Sequence, residues 1–218
     1  PLTTIPNPLM QIGGPYWFRW FLSVLLALAF AALLGLVLER LAIRPMIGEP
    51  LFSVAVITLG LEIFLRVLAN DTVKINFRSL EVPWGTDGFT VGGAFVNWSY
   101  IAAMITAAVC FTAVFFFYRS RMGVAMRAVA YDQEAAMAQG INVGRVFAIA
   151  WAAGAVLAAI GGIFATQPPI AQTGAVQVET QFIAFRTLPA VILGGLDSVQ
   201  GALIGGLIIG MAEIMAGQ

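Results

Sequence analysis

The hydrophobic positions of this chain lie in long runs that contain no charged residue. Three such runs cover residues 20–38, 88–118 and 146–178. In an α-helix, about 20 apolar residues at about 1.5 Å each cross a hydrocarbon layer of about 30 Å. Strands do not fit, because the runs are too long and lack alternation of apolar and polar positions. The pattern predicts an all-α integral membrane protein.

Turn residues divide the chain into about six hydrophobic segments. Prolines and glycines in the first 15 residues predict a loop there, and Pro50 opens the second segment. Pro189 interrupts the fifth segment, and the sequence leaves open whether this segment crosses the membrane fully. We expect a polytopic bundle, forming a single transmembrane domain over residues 1–218. Its helices are expected at 16–38, 51–69, 98–118, 146–165, 182–193 and 202–215.

The distribution of basic residues predicts the orientation of the loops. Loops 39–50 and 119–145 together hold six of the eleven Lys and Arg residues, whereas loops 70–97 and 166–181 hold two. Basic residues concentrate in cytoplasmic loops. We therefore expect 119–145 to be a cytoplasmic loop and 70–97 an external loop. Short alternating pieces at 73–75 and 89–91 predict a small hairpin in the external loop.

Composition narrows the chemistry that this chain can perform. Apolar residues make up 60% of it, and eleven basic residues balance eleven acidic ones, so no basic surface exists to attract nucleic acid. No histidine is present for a Ser-His-Asp triad, and the single Cys110 excludes a multi-thiolate metal site. Lys74 precedes Ile75, so the Gly-Lys-Ser/Thr phosphate-binding pattern is missing. The sequence predicts no catalytic residue, metal site or cofactor here, and any ATP must be bound by a partner subunit.

The predicted cytoplasmic loop contains signals for one short helix. Asp132 is a good N-cap, and Gly140 is a good residue to end a helix. Small side chains between them would let this helix enter a groove of another protein, and Met137 can adapt to an irregular pocket. The pattern fits a docking helix, but it also fits an ordinary surface helix between two membrane helices.

Three stretches of the chain resemble a known family. They are Glu39-Arg-Leu-Ala-Ile-Arg-Pro, Ser120-Arg-Met-Gly-Val-Ala-Met-Arg-Ala-Val-Ala-Tyr-Asp-Gln-Glu-Ala-Ala-Met-Ala-Gln-Gly-Ile-Asn and Leu193-Gly-Gly-Leu-Asp-Ser-Val-Gln-Gly-Ala-Leu-Ile-Gly-Gly. They are similar to permeases of branched-chain amino acid ABC transporters, the inner-membrane translocator family. The resemblance covers nearly the whole chain from about residue 20. The N-terminal helices of that family are expected to be missing, since Pro1 is not a translation start.

The resemblance implies a function and a set of partners. It implies a multi-pass permease subunit in the bacterial inner (plasma) membrane that imports branched-chain amino acids by ATP-driven alternating access. The implied partners are ATP-binding subunits, a second permease subunit, an external solute-binding protein and an amino acid substrate. A urea or short-chain amide permease of the same architecture stays open as an alternative. An ATP-independent channel or carrier is a further alternative.

The resemblance also assigns a role to the short helix. Its Glu-Ala-Ala-x3-Gly pattern is similar to the permease motif that contacts the ATPase in ABC importers. The coupling residues that the resemblance implies are Glu134, Ala135, Ala136 and Gly140. Asp132, as the N-cap, and Met137, as a pocket-filling side chain, complete the predicted coupling set.

Three charged residues within hydrophobic segments are candidates for lining the pathway. Glu62 and Arg66 lie four apart on one helix face, with the acid first, which favours an ion pair. The pair could line the pathway or be a self-neutralised structural pair, and Arg66 could instead reach the outer interface. Arg186, near Pro189, could meet a substrate carboxylate at a broken helix or anchor the helix at the interface.

Glycines recur at four-residue spacing in the fourth and sixth segments. Small residues at this spacing let the backbones of membrane helices approach closely. We expect helix packing at Gly154, Gly162, Gly201, Gly205, Gly206 and Gly210.

Overall fold

The computed structural model describes residues 16–49, 51–73, 78–79, 87–92, 94–167, 175–176, 183–195 and 198–216. Most of these residues are helical. They fall into two compact units. One unit is drawn from Pro1–Lys74 and Ser79–Gly174, and the other from Ile75–Arg78 and Ala175–Gln218.

Four helices of the first unit are long and apolar enough to cross a membrane. They are α1 (Tyr16–Leu38), α2 (Leu51–Val73), α3 (Trp98–Arg119) and α6 (Val143–Ala165). Each has 22 or 23 residues and so measures about 33 Å. The predicted polytopic, all-α membrane fold is confirmed.

Capping side chains explain where two of these helices begin. The Asn142 side chain accepts a hydrogen bond from the Arg145 N–H at 2.9 Å, so α6 begins at Val143 rather than at 146. The Asn97 side chain accepts one from the Ser99 N–H at 2.7 Å, which starts α3 at the predicted position. Each cap satisfies one of the N–H groups that a helix leaves without an internal partner.

Helices α1 and α6 pack side by side and run antiparallel. A Cβ added at Gly35 would lie 2.8 Å from the Trp151 carbonyl oxygen and 2.9 Å from the Ala155 Cβ, so the two backbones are in close contact there. Beyond α1, the chain continues through a π-helical turn, Glu39–Ile43, and a 3₁₀ turn, Arg44–Met46. This extension reaches the beginning of α6, where Arg44 bonds to Gly144.

The predicted cytoplasmic loop is more ordered than the sequence indicated. It contains two helices, α4 (Arg121–Tyr131) and α5 (Gln133–Ala138), of which only α5 was predicted. A Cβ at Gly123 would collide with the Tyr118 backbone, so glycine permits the sharp corner between α3 and α4. The Arg127 guanidinium donates to the Tyr118 carbonyl at 2.6 Å and so caps the end of α3. We call residues 120–142 the connector.

A small hairpin precedes α3. Strand β2 (Gly88–Val91) pairs antiparallel with β3 (Ala94–Asn97), and Gly92 adopts a φ of +60° in the turn. The sequence suggested 73–75 as the other short piece, but Val73 ends α2, and residues 74 and 75 lie outside the described residues. Two further strands, β1 (Arg78–Ser79) and β4 (Ala175–Val176), have two residues each.

The second unit contains a tightly packed helix pair, α7 (Ile183–Gly194) and α8 (Val199–Ala216). A Cβ at Gly205 would overlap the Ala190 carbonyl oxygen, and one at Gly201 would overlap the Gly194 carbonyl oxygen. With 12 residues, α7 measures about 18 Å, which is shorter than a hydrocarbon layer of about 30 Å. The contacts at Gly201 and Gly205 bring the backbones of α7 and α8 close together.

Candidate functional site

The short helix α5 is fixed at both ends. At its beginning, the Asp132 carboxylate accepts a hydrogen bond from the Ala135 N–H at 2.9 Å. At its end, Gly140 has a φ of +80°, and its N–H donates to the Met137 carbonyl at 2.9 Å. The Ile141 N–H donates to the Ala136 carbonyl at 3.0 Å, which completes a Schellman motif. The predicted capping roles of Asp132 and Gly140 match this geometry.

One side of α5 is buried in the connector. Ala136 is only 3% exposed and packs with Val129 of α4 and with Val143 and Val146 of α6. We call these four residues the connector core. Partly buried side chains surround it: Ile47, Met122, Ala125, Met126, Ala128, Ile141 and Phe147. A displacement of α5 would therefore press directly on α4 and α6.

The other side of α5 is open. Glu134, Ala135 and Met137 are all exposed, and Met137 retains half of its accessible surface. Tyr131, which precedes the N-cap, is 95% exposed. Tyrosine is among the residue types that dominate the energetics of protein interfaces. Sequence reasoning assigned Tyr131 no role, because nothing in the local pattern distinguishes an exposed aromatic ring from a buried one.

An ion pair between a buried acid and a partly exposed base lies beside the connector, and sequence reasoning missed it. Glu39 is 1% exposed, and the Arg44 guanidinium donates to both of its carboxylate oxygens, at 3.1 and 3.3 Å. Arg44 also donates to the Gly144 carbonyl at 3.4 Å. The five-residue spacing hides this pair, because α-helical patterns bring together residues three or four apart.

The structure places Glu62 and Arg66 together on α2. The Arg66 Nε donates to a Glu62 carboxylate oxygen at 3.0 Å, and the Nη2 bonds to the same oxygen. Both side chains are nearly half exposed. Arg186 lies on α7, but its side chain is outside the described residues. A role for these three residues in lining the pathway stays a prediction.

The predicted packing glycines occupy two kinds of environment. Gly201 and Gly205 lie against α7 at backbone distance. In the described part of the chain, a Cβ added at any of the other four would meet no atom within 4 Å. For these four, helix packing stays a prediction: Gly154, Gly162, Gly206 and Gly210.

Comparison with known proteins assigns the chain to a family. The family described as "Branched-chain amino acid transport system / permease component" matches residues 6–218. The high-affinity branched-chain amino acid transport system permease protein LivH of Salmonella typhimurium is 31% identical over 217 residues. The match covers 95% of this chain and 68% of that relative.

Two further relatives broaden the comparison. The permease protein BraD of Pseudomonas aeruginosa, from a high-affinity branched-chain amino acid transport system, is 31% identical over 94% of this chain. The fructose import permease protein FruF of Bifidobacterium longum is 27% identical over 91% of this chain. The chain spans 65% of the length of BraD and 55% of FruF. No solved structure matches the chain.

The match confirms the family that the sequence resemblance indicated. Together with the four candidate spans, it places the chain in the inner membrane as a multi-pass protein. The chain belongs to the family of permease components of branched-chain amino acid transport systems.

Proposed function

We propose that this chain is a membrane-spanning subunit of an ABC importer that moves branched-chain amino acids into the cell. Separate subunits bind and hydrolyse the ATP. The observation that carries the proposal is helix α5, which is capped at both ends and buried on one side through Ala136. Its other side is exposed, as expected of a helix that enters a groove of a partner protein.

The exposed side of α5 supports docking to an ATP-binding subunit. Ala135 and Ala138 are small, so a partner's groove can approach the helix backbone, while Met137 can fill an irregular pocket. Tyr131 adds a large exposed ring next to the helix. These features, together with the match to a permease family, favour a docking helix over an ordinary surface helix.

The contacts behind α5 provide a route from the docked subunit to the membrane helices. Ala136 packs on Val143, the first residue of α6. Through α4, the Arg127 bond to the Tyr118 carbonyl reaches the end of α3. Closure of the ATP-binding subunits would shift α5 and, with it, α3 and α6. This shift would favour either the outward-facing or the inward-facing state of the pathway. Switching between these two states is alternating access.

The solute is proposed from the relatives. LivH and BraD are named for branched-chain amino acids, and both are more similar to this chain than FruF, which is named for fructose. Branched-chain amino acids are therefore the first choice and fructose is the second. Urea and short amides stay as a third choice of the same architecture.

Uptake by the reconstituted transporter tests this proposal. The full chain is assembled with its second permease subunit, the ATP-binding subunits and the solute-binding protein in proteoliposomes. We expect ATP-dependent uptake of labelled leucine, with unlabelled isoleucine and valine competing and fructose and urea not competing. Vesicles without ATP are the control. Uptake of fructose or urea alone would reassign the solute, and uptake of leucine without ATP would indicate a channel or carrier.

A further inference from the structure

The ion pair of Glu39 and Arg44 joins the end of α1 to the beginning of α6. The Arg44 Nε donates to the Glu39 Oε1 at 3.1 Å, and the Nη2 donates to the Oε2 at 3.3 Å. The same Nη2 donates to the Gly144 carbonyl at 3.4 Å. Arg44 therefore holds a carboxylate of its own segment and a backbone oxygen of α6 at the same time.

The π-helical turn between these residues makes the contact possible. The Arg44 backbone N–H bonds to the Glu39 carbonyl, so residues five apart are brought to the same side of the turn. In an α-helix this spacing would point the two side chains in different directions. Single π-turns are rare and occur frequently at functional sites. The backbone here adopts the one helical form that pairs these two side chains.

The Arg44 guanidinium lies against α6 at Gly144, at a distance where a Cβ would make an ordinary van der Waals contact. A Cβ there would lie 3.4 Å from the Arg44 Cζ and 3.5 Å from its Nε. The preceding residue, Val143, belongs to the connector core together with Ala136. Arg44 thus contacts α6 one residue away from the core that holds α5.

The acid of this pair is buried, whereas the Arg44 side chain keeps 40% of its surface exposed. Glu39 is 1% exposed, so loss of its partner would leave a buried carboxylate without compensation, which is strongly unfavourable. The planar guanidinium fork also fixes the direction of both contacts. A lysine ammonium cannot bond to two carboxylate oxygens and to a carbonyl in this geometry.

We infer that Glu39 and Arg44 are positioning residues that make α1 move with the connector when the ATP-binding subunits close. This inference rests on the proposed function. Close packing at Gly35 joins α1 to α6 at a second level, because a Cβ added there would lie 2.8 Å from the Trp151 carbonyl oxygen. With both contacts in place, α1 and α6 respond as one rigid pair to a displacement of α5.

Substitution of the pair in the assembled transporter tests the inference. Arg44→Lys and Glu39→Gln should leave assembly and basal ATP hydrolysis in place, while leucine uptake per ATP hydrolysed falls about fivefold. The matched controls are Arg66→Lys and Glu62→Gln in the half-exposed pair of α2. These variants should keep leucine uptake per ATP hydrolysed near that of the unsubstituted protein. Equal losses in the two pairs, or no loss at Arg44 and Glu39, would overturn the positioning role.

A distance measurement tests the same inference, first with the pair intact and then after Arg44→Lys. Spin labels are placed at Leu41→Cys and Arg145→Cys, both exposed positions, in a Cys110→Ser background. We expect the same label-to-label distance with and without ATP when Arg44 is present, and an ATP-dependent distance after Arg44→Lys. An ATP-dependent distance with Arg44 in place would show that α1 moves separately from α6.

The two proposals fail in different ways. A transporter with the original sequence that shows no ATP-dependent uptake of any solute would count against the proposed function. A transporter that takes up leucine normally, and also does so with Arg44→Lys, would leave the proposed function intact and remove only the positioning role.

Discussion

Replacing Ala136 with glutamate is expected to unfold the connector. Ala136 is 3% exposed among Val129, Val143 and Val146, so the new carboxylate would be buried without a partner. We expect a loss of roughly 3 kcal/mol of local stability. Limited trypsin digestion detects this loss, because the protease cleaves locally unfolded backbone and the exposed basic residues in and beside the connector are held in helices. They are Arg119, Arg121, Arg127 and Arg145.

The neighbouring residue provides the matched control. Ala135 is exposed in the first turn of α5, where a negative charge is favourable, so Ala135→Glu should leave the trypsin pattern unchanged. It would place a charge in the proposed docking surface and should reduce recovery of the ATP-binding subunit in purification. If Ala136→Glu and Ala135→Glu gave the same digestion pattern, the connector core would not hold α5 as described.

Replacing Gly205 with alanine is expected to destabilise the pair of helices α7 and α8. The added Cβ would overlap the Ala190 carbonyl oxygen and would lie 3.0 Å from the Gly194 nitrogen. Overpacking of this kind costs about 1–3 kcal/mol. The thermal unfolding midpoint of the detergent-purified protein should fall.

Gly206 is the control for this substitution because it lies next to Gly205 on the same helix. A Cβ at Gly206 meets no described atom within 4 Å, and alanine favours a helix over glycine by about 1 kcal/mol. Gly206→Ala should therefore keep or raise the midpoint. A lower midpoint for Gly206→Ala than for Gly205→Ala would contradict the close contact at Gly205.

Long hydrophobic runs predicted the membrane helices well because hydrocarbon imposes a strict requirement on length and charge. The predicted range 16–38 agrees with α1 at both ends. The predicted bounds were less accurate where the end of a helix carries a charged residue, such as Asp71 or Arg145. Helix α2 continues past 69 to Val73, and α6 begins at Val143 because the charge of Arg145 is tolerated in a first helical turn.

The connector was predicted only in part. The capping signals of Asp132 and Gly140 were sufficient to predict α5, because such signals are local in the sequence. The sequence predicts a loop where α4 lies, since its charged residues interrupt the apolar runs that indicate membrane helices. The burial of Ala136 could not be predicted, because it depends on Val129 and Val146 from two other helices.

The ion pair of Glu39 and Arg44 shows where sequence reasoning ends. Glu39 and Arg44 are five residues apart, and that spacing becomes a contact only when the backbone forms a π-turn. Their third partner, Gly144, is a hundred residues away and contributes only a backbone oxygen. Every residue type has a backbone carbonyl, so the residue at position 144 does not reveal this contact. Only the fold shows it.

Cross-linking from the outward side of α5 tests the central claim most directly. Met137→Cys, in a Cys110→Ser background, is treated in the assembled transporter with a reagent that joins a thiol to nearby lysines. We predict an adduct with an ATP-binding subunit from Met137→Cys, and none from Phe95→Cys, an exposed position on the β2–β3 hairpin. A Met137→Cys protein whose thiol is accessible but which forms no such adduct, or an equal adduct from Phe95→Cys, would contradict the account.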